Sequence, residues 1–295
     1  MTPQAKRLLH WAGSTITILS VVFVALRLEE YRLDLNIARF GITEWATITA
    51  LTLVYTLANF LLPLAWQNLL AGFGADTSRC WAIKIYGISQ LAKYVPGNIF
   101  HLAGRQAMGM AVSLPAWPLA KSVMWELGFL SVAGALFALL AAPFVFPELS
   151  PYWAISAFAA ASSLTIVGSS QVLGRHFAFA LGLQIVFLSI SGLIFVILIY
   201  LIAPSTSIYW ASLTGAFVLA WLAGLVTPGA PAGLGVRELV LLYLLKGTIQ
   251  EVDLLLAVLS GRVITVIGDL FFFGIALLMK QITNPANRTV GLKGE

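Results

Sequence analysis

Two arginines follow the only two Pro-Gly dipeptides of the chain at the same distance. Arg105 lies nine residues after the proline of Pro96-Gly97, and Arg237 lies nine residues after the proline of Pro228-Gly229. A guanidinium group can donate two parallel hydrogen bonds to one phosphate. Two arginines at corresponding places therefore indicate a site for an anion, most simply the phosphate of a lipid headgroup.

The residues around the two dipeptides favour broken helices. Asn98 is of a type that commonly caps a helix N-terminus, and Gly235 permits a close approach of the backbone. A helix N-terminus carries about half a positive charge and binds anions. We therefore expect helix breaks that present backbone N–H groups to an anion, formed by Pro96, Gly97, Asn98, Pro228, Gly229, Gly233 and Gly235.

Further ionisable residues occur within apolar segments, where a charge is costly and indicates a functional site. The predicted substrate-binding residues are Lys93, His101, Arg105, Glu126, Arg237 and Glu238. Several alternatives stay open. Lys93 could extend to the membrane interface, and His101 could be a hydrogen-bonded helix residue. The two glutamates could pair with the two arginines and hold the broken helices in place.

Arg262 and Asp269 are two turns apart on one face of the last apolar segment. Residues of opposite charge on one helix face attract each other. We predict a structural pair there rather than a substrate contact.

The composition indicates that the protein is surrounded by the lipid bilayer rather than by water. The chain has 295 residues, of which 60% are hydrophobic and 10% charged, and its mean hydropathy is +0.93. A soluble domain is about a quarter charged, so a water-soluble globule is excluded. The net charge of +5 is thinly spread, which argues against nucleic acid as a partner. A single cysteine and three scattered histidines predict neither a metal site nor a cofactor.

Six segments are predicted to cross the bilayer: five reach the length of about 20 apolar residues that a crossing takes, and the first is shorter. The first, which follows Lys6 and Arg7, is predicted to be an uncleaved span rather than a signal peptide. The six are Trp11–Leu26, Ala46–Leu70, Leu119–Ala142, Pro151–Val172, Phe177–Ala203 and Asp253–Met279.

Two further regions are predicted to be re-entrant helical hairpins broken at the Pro-Gly dipeptides. One combines Ile83–Val95 with Asn98–Leu114, and the other combines Tyr209–Val226 with Leu234–Leu245. Irregular backbone at membrane depth persists only where protein or a wet cavity satisfies its polar groups. Each break should therefore lie inside the bundle, beside something polar.

Lysine and arginine in the short loops predict the orientation. With the N-terminus inside, eight of these residues are cytoplasmic, namely Lys6, Arg7, Arg79, Lys84, Arg175, Lys280, Arg288 and Lys293. Four are external, namely Arg27, Arg32, Arg39 and Lys246. Because cytoplasmic loops are enriched in lysine and arginine, we expect both termini on the cytoplasmic side of the inner (plasma) membrane.

The two dipeptides are 132 residues apart, and the same offset carries spans of the first half onto spans of the second. Residues 1–150 and 151–295 are thus predicted to be two repeats within a single membrane domain. Three crossings per repeat is an odd number, so the second repeat would be inverted. Inverted repeats of this kind place a substrate site near the bilayer midplane.

Two motifs resemble a known family. They are Lys93-Tyr94-Val95-Pro96-Gly97 with Arg105, and Gly233-Leu234-Gly235-Val236-Arg237-Glu238. They resemble the lysylphosphatidylglycerol synthase/flippase-like transmembrane family, the membrane domain that precedes the aminoacyl-transferase domain of bacterial multiple peptide resistance factors. The resemblance covers nearly the whole chain and implies flipping of a polar lipid. It also implies a headgroup site shaped by Lys93, Pro96, Gly97, Arg105, Gly233, Gly235, Arg237 and Glu238.

Stand-alone relatives of this family are associated with polyprenyl-phosphate glycan pathways. Because no synthase domain follows here, lysyl transfer is not expected. The expected partner is a membrane lipid, either a phospholipid or a polyprenyl-phosphate conjugate, with a homodimer or a cell-envelope enzyme as further partners. The alternatives to a flippase are a membrane enzyme acting on a polyprenyl-phosphate-linked glycan and an accessory scaffold.

Overall fold

The computed structural model describes residues 40–95, 100–204, 208–227 and 235–279, and this part of the chain consists of helices and turns without a strand. Within it, five helical stretches are long and apolar enough to cross a membrane. The chain is therefore an all-α, multi-pass membrane protein. The five stretches are Ile42–Gly72, Ala116–Val145, Pro151–Val172, Arg175–Ile202 and Glu251–Leu278.

These stretches confirm five of the six predicted spans with small shifts of their ends. The segment Pro151–Val172 has the predicted bounds. The remaining predicted span, Trp11–Leu26, lies outside the described residues, as do both chain termini.

The helices of the first half are α1 (Ile42–Ala58), α2 (Leu61–Gly72), α3 (Arg79–Gln90), α4 (Phe100–Ala111), α5 (Ala116–Leu136) and α6 (Ala138–Val145), with a 3-10 turn at Leu91–Tyr94 after α3. Those of the second half are α7 (Pro151–Val172), α8 (Arg175–Ile202), α9 (Trp210–Val226), α10 (Val236–Leu244) and α11 (Glu251–Leu278).

A proline explains why the first described span is divided into α1 and α2. Pro63 has no N–H to donate to the carbonyl group of Asn59, and its ring crowds that carbonyl. The helix accordingly ends at Ala58 and begins again at Leu61. The interruption leaves the side chain of Asn59 inside the bundle, where it is fully buried.

Three of the four helices that flank the Pro-Gly dipeptides are short, and the fourth, α9, has 17 residues. At about 1.5 Å per residue, α3 and α4 are each about 18 Å long and α10 is about 14 Å long, whereas the hydrocarbon core is about 30 Å thick. The dipeptides themselves, with Asn98 and Gly233, lie outside the described residues. Gly235 is described: it has a φ of +82° and precedes the first residue of α10.

The described helices follow the predicted offset of 132 residues. Shifted by that amount, the stretch Ile42–Gly72 coincides with α8 to within two residues at each end. The shifted α3 falls within α9, and the shifted α5 and α6 fall close to α11. The packing follows the same rule, because α3 packs against α11 and its counterpart α9 packs against α6.

Candidate functional site

A cavity lies where the C-terminal ends of α3 and α9 meet the N-terminal ends of α4 and α10. The empty space at this place is about 1090 Å³ when the open solvent at its mouth is included. Charged and ionisable side chains from both halves of the chain line it: Lys93, His101, Arg105, Glu126, Arg237 and Arg262. Five of the six predicted substrate-binding residues therefore border one cavity.

Arg105 on α4 forms a buried ion pair with Glu126 on α5. One terminal nitrogen of Arg105 donates to both carboxylate oxygens, at 2.8 and 3.1 Å, and the hydroxyl of Tyr86 donates to the same carboxylate at 2.9 Å. The guanidinium carbon lies 4.2 Å from the centre of the Tyr86 ring and 5.3 Å from that of Trp66. Glu126 thus pairs with Arg105, one of the alternatives that the sequence left open.

Asp269 on α11, in the second half of the chain, contacts polar side chains from the first half. Its carboxylate lies 2.7 Å from the ammonium group of Lys93 and accepts hydrogen bonds from the hydroxyl of Tyr94 and, at 3.1 Å, the amide of Asn59. The amide of Gln90 is 3.5 Å away. Asp269 is fully buried, so these donors replace the water that a carboxylate would otherwise bind.

The predicted pair of Arg262 and Asp269 is wrong. Arg262 instead pairs with Glu238 on α10, through an Nε that donates at 2.8 Å and a terminal nitrogen that donates to the same oxygen. Two turns along a helix separate side chains by about 10 Å, and residues of the broken helices come closer. Because Glu238 pairs with Arg262, the alternative in which Glu238 pairs with its neighbour Arg237 is also wrong.

Arg237 differs from the other three cations of the cavity. Within the part of the chain that the structure describes, Lys93, Arg105 and Arg262 each contact one carboxylate, and Arg237 contacts none. Its guanidinium carbon lies 5.8 Å from the centre of the Phe217 ring. Its Nε is buried without a hydrogen-bond partner. The cavity thus carries one positive charge that no described carboxylate neutralises.

His101 lies one turn before Arg105 on α4 and also borders the cavity. Its Nδ1 is buried and has no hydrogen-bond partner among the described residues. The Nε of Arg105 is buried and unpartnered as well. With the Nε of Arg237 on α10, buried polar atoms without a partner among the described residues therefore occur on cavity-lining residues of both α4 and α10.

Several polar residues of the site were not among the residues that the sequence analysis predicted to bind substrate. Asn59, Tyr86, Gln90 and Tyr94 hold the charged groups in place but carry no charge themselves. A side-chain amide within an apolar helix is a usable signal, because it needs a partner inside the membrane.

Within the described residues, no group of three or more histidine, cysteine, aspartate or glutamate side chains could hold a metal ion. Neither a scan against protein-family models nor a search of curated proteins finds a match for the chain.

Proposed function

We propose that this protein moves lipids with a phosphate-bearing headgroup from one leaflet of the membrane to the other. The observation that carries the proposal is the guanidinium of Arg237, which no carboxylate of the described residues neutralises, in a cavity lined by cations from both halves of the chain. Inside a membrane an unpaired cation is costly, so a site that keeps one is suited to an anion. The headgroup would occupy the cavity while the hydrocarbon tail stays in the lipid.

The broken helices would act as two gates. Because α3, α4 and α10 are too short to cross the hydrocarbon, we infer that each pair of broken helices enters the membrane and returns on the same side. The family resemblance and the 132-residue offset support entry from opposite faces. A cavity between two such hairpins could open to each leaflet in turn.

Three ion pairs connect the broken helices to the spanning helices and would have to change partners when a gate moves. Each pair joins a residue of a broken helix to a spanning helix: Lys93 to Asp269, Arg105 to Glu126, and Glu238 to Arg262. Breaking a buried pair leaves an uncompensated charge, which costs about 3–5 kcal/mol. Once bound at Arg237 with all three pairs intact, a phosphate that then moves to a released cation would offset part of this cost, so headgroup transfer and hairpin movement would be coupled.

Reconstituted vesicles test the proposal. Phosphatidylglycerol labelled with a fluorophore on its tail, so that the headgroup stays native, is incorporated in both leaflets. Dithionite then bleaches only the outer leaflet. We expect protein-containing vesicles to lose nearly all fluorescence, because the inner-leaflet lipid reaches the surface, and protein-free vesicles to lose about half.

Three results would contradict transport or favour one of the alternative functions. Equal bleaching with the wild type, with the Arg237→Gln variant and without protein would contradict transport of this lipid through the cavity. Chemical conversion of a polyprenyl-phosphate sugar by the purified protein would show a membrane enzyme. A cell-envelope phenotype that persists when both Arg105 and Arg237 are neutralised would favour a scaffold.

A further inference from the structure

We propose that the cavity selects headgroups with a single net negative charge, namely phosphodiesters without an ammonium group, over phosphomonoesters, diphosphates and zwitterionic headgroups. This inference rests on the proposed function and specifies the chemical class of its substrate. Phosphodiesters occur both in phosphatidyl lipids and in prenyl phosphate sugars. The charge argument is the same for both sources of the phosphodiester.

The charge balance of the site carries the inference. Four cations border the cavity, and three of them contact a carboxylate: Glu126, Glu238 or Asp269. Among the described residues, the charge that remains without a carboxylate is that of Arg237. One phosphodiester, with one negative charge, would neutralise the site without disturbing any of the three ion pairs.

Burial makes this balance selective. Arg237 is half-buried, and Arg105, Glu126, Arg262 and Asp269 around it are buried, so a charge mismatch is less screened there than in water. A phosphomonoester carries about −1.5 to −2 at neutral pH and would bring an excess negative charge. A zwitterionic headgroup brings an ammonium group, and every described carboxylate at the site already has a cation.

A matched set of lipids tests the selection. Didecanoyl phosphatidylglycerol, phosphatidylethanolamine and phosphatidic acid share their tails and glycerol and carry about −1, 0 and close to −2 at pH 8. Binding to the purified full-length protein in detergent is followed by tryptophan fluorescence, since Trp221 lines the cavity. We expect phosphatidylglycerol to bind at least about tenfold more tightly than the other two, a difference of about 1.4 kcal/mol.

A short-chain prenyl phosphoglucose distinguishes the two sources of the phosphodiester. If it binds at least as tightly as phosphatidylglycerol, the source is a prenyl phosphate sugar. If it binds more weakly, the source is a phosphatidyl lipid. Both results support the inference, provided that the bound compound is preferred over phosphatidic acid.

Variants that change the charge of the site give the sharper test. Glu238→Gln adds one positive charge by leaving Arg262 unpaired, so phosphatidic acid should now bind more tightly than phosphatidylglycerol. Ser191→Lys adds a charge at another lining position without removing an ion pair and should give the same reversal. Arg237→Gln should abolish the preference. Lys121→Gln is the control, because Lys121 lies outside the cavity lining, over the Phe73 and Trp117 rings, and should leave the order unchanged.

The outcomes separate this inference from the proposed function. If tail-labelled phosphatidylglycerol is flipped but phosphatidic acid binds equally well, or neither charge-adding variant reverses the order, the charge selection is overturned and transport stands. If no anionic lipid binds and none is flipped, the proposed function fails together with the inference.

Discussion

Tyr55 and Phe187 are in ring contact, with centroids 6.2 Å apart, and their positions differ by 132 residues. This is the offset that relates the two Pro-Gly dipeptides. Two positions equivalent under a two-fold axis can touch only near that axis. Both residues border the cavity, as do Arg105 and Arg237, which have the same offset. The contact therefore supports a pseudo-two-fold axis that passes through the candidate site.

The single cysteine of the chain provides a test of the predicted inversion. Cys80 is exposed near the start of α3, beside Arg79 on the predicted cytoplasmic side. Lys246, exposed after α10, is predicted to be external. We expect a membrane-impermeant maleimide to label Cys80 only in inside-out vesicles. In a Cys80→Ser background, Lys246→Cys should be labelled only in intact cells.

The Cys80→Ser protein without a second substitution is the control and should remain unlabelled. Labelling of both positions from the same side of the membrane would contradict the inverted arrangement. It would also remove the argument that the two broken helices gate opposite leaflets.

The hydrophobic pattern predicts the spans well because the bilayer sets one length for all of them. The bounds of α7 were predicted residue for residue, and those of α8 and α11 within two residues. The partners of the charged residues depend on how the short helices return into the bundle, which no local pattern records. Arg262 thus pairs with Glu238 on another helix, although Asp269 lies on its own face. The family resemblance stays a prediction.

Substitutions of Arg237 and Arg105 should have similar effects on lipid flipping but different effects on stability. Arg105→Gln leaves Glu126 as a buried carboxylate without its cation, which should lower the free energy of unfolding by about 3–5 kcal/mol. Arg237→Gln breaks no ion pair among the described residues, so the stability should be unchanged or higher. Both variants should lose lipid flipping. Thermal unfolding in detergent and the dithionite assay measure the two quantities separately.

Lys121→Gln is the matched control for both variants, since it removes a cation outside the cavity lining and should keep stability and flipping close to those of the wild type. A strong loss of stability in Arg237→Gln would show that the guanidinium has a structural partner. Its role as the free anion-binding group would then be untenable.

Gly87 on α3 should be necessary for the close packing of α3 against α11. A Cβ added to it would lie 2.5 Å from the Cβ of Ala276 on α11. Gly87→Ala should therefore force α3 away from α11 and destabilise the protein by about 1–3 kcal/mol. Ala276→Gly in the same protein should restore stability, because it makes room for the new methyl group.

Gly128 on α5 is the control for this substitution, because a Cβ there would meet no atom within 4 Å. Gly128→Ala should raise stability by about 1 kcal/mol through the helix propensity of alanine. Equal effects of the two alanine substitutions in thermal unfolding would contradict the close approach of α3 to α11.

Asp269 should hold the 3-10 turn after α3 against α11 and α1. Asp269→Asn leaves the ammonium group of Lys93 without its carboxylate 2.7 Å away, and we expect a loss of about 3–5 kcal/mol in unfolding free energy. Adding Lys93→Met should recover part of this loss, because no unpaired cation remains. Glu251→Gln, at the exposed start of the same helix, should change stability by less than about 1 kcal/mol. If the double variant is no more stable than Asp269→Asn alone, the ion pair is not what joins these helices.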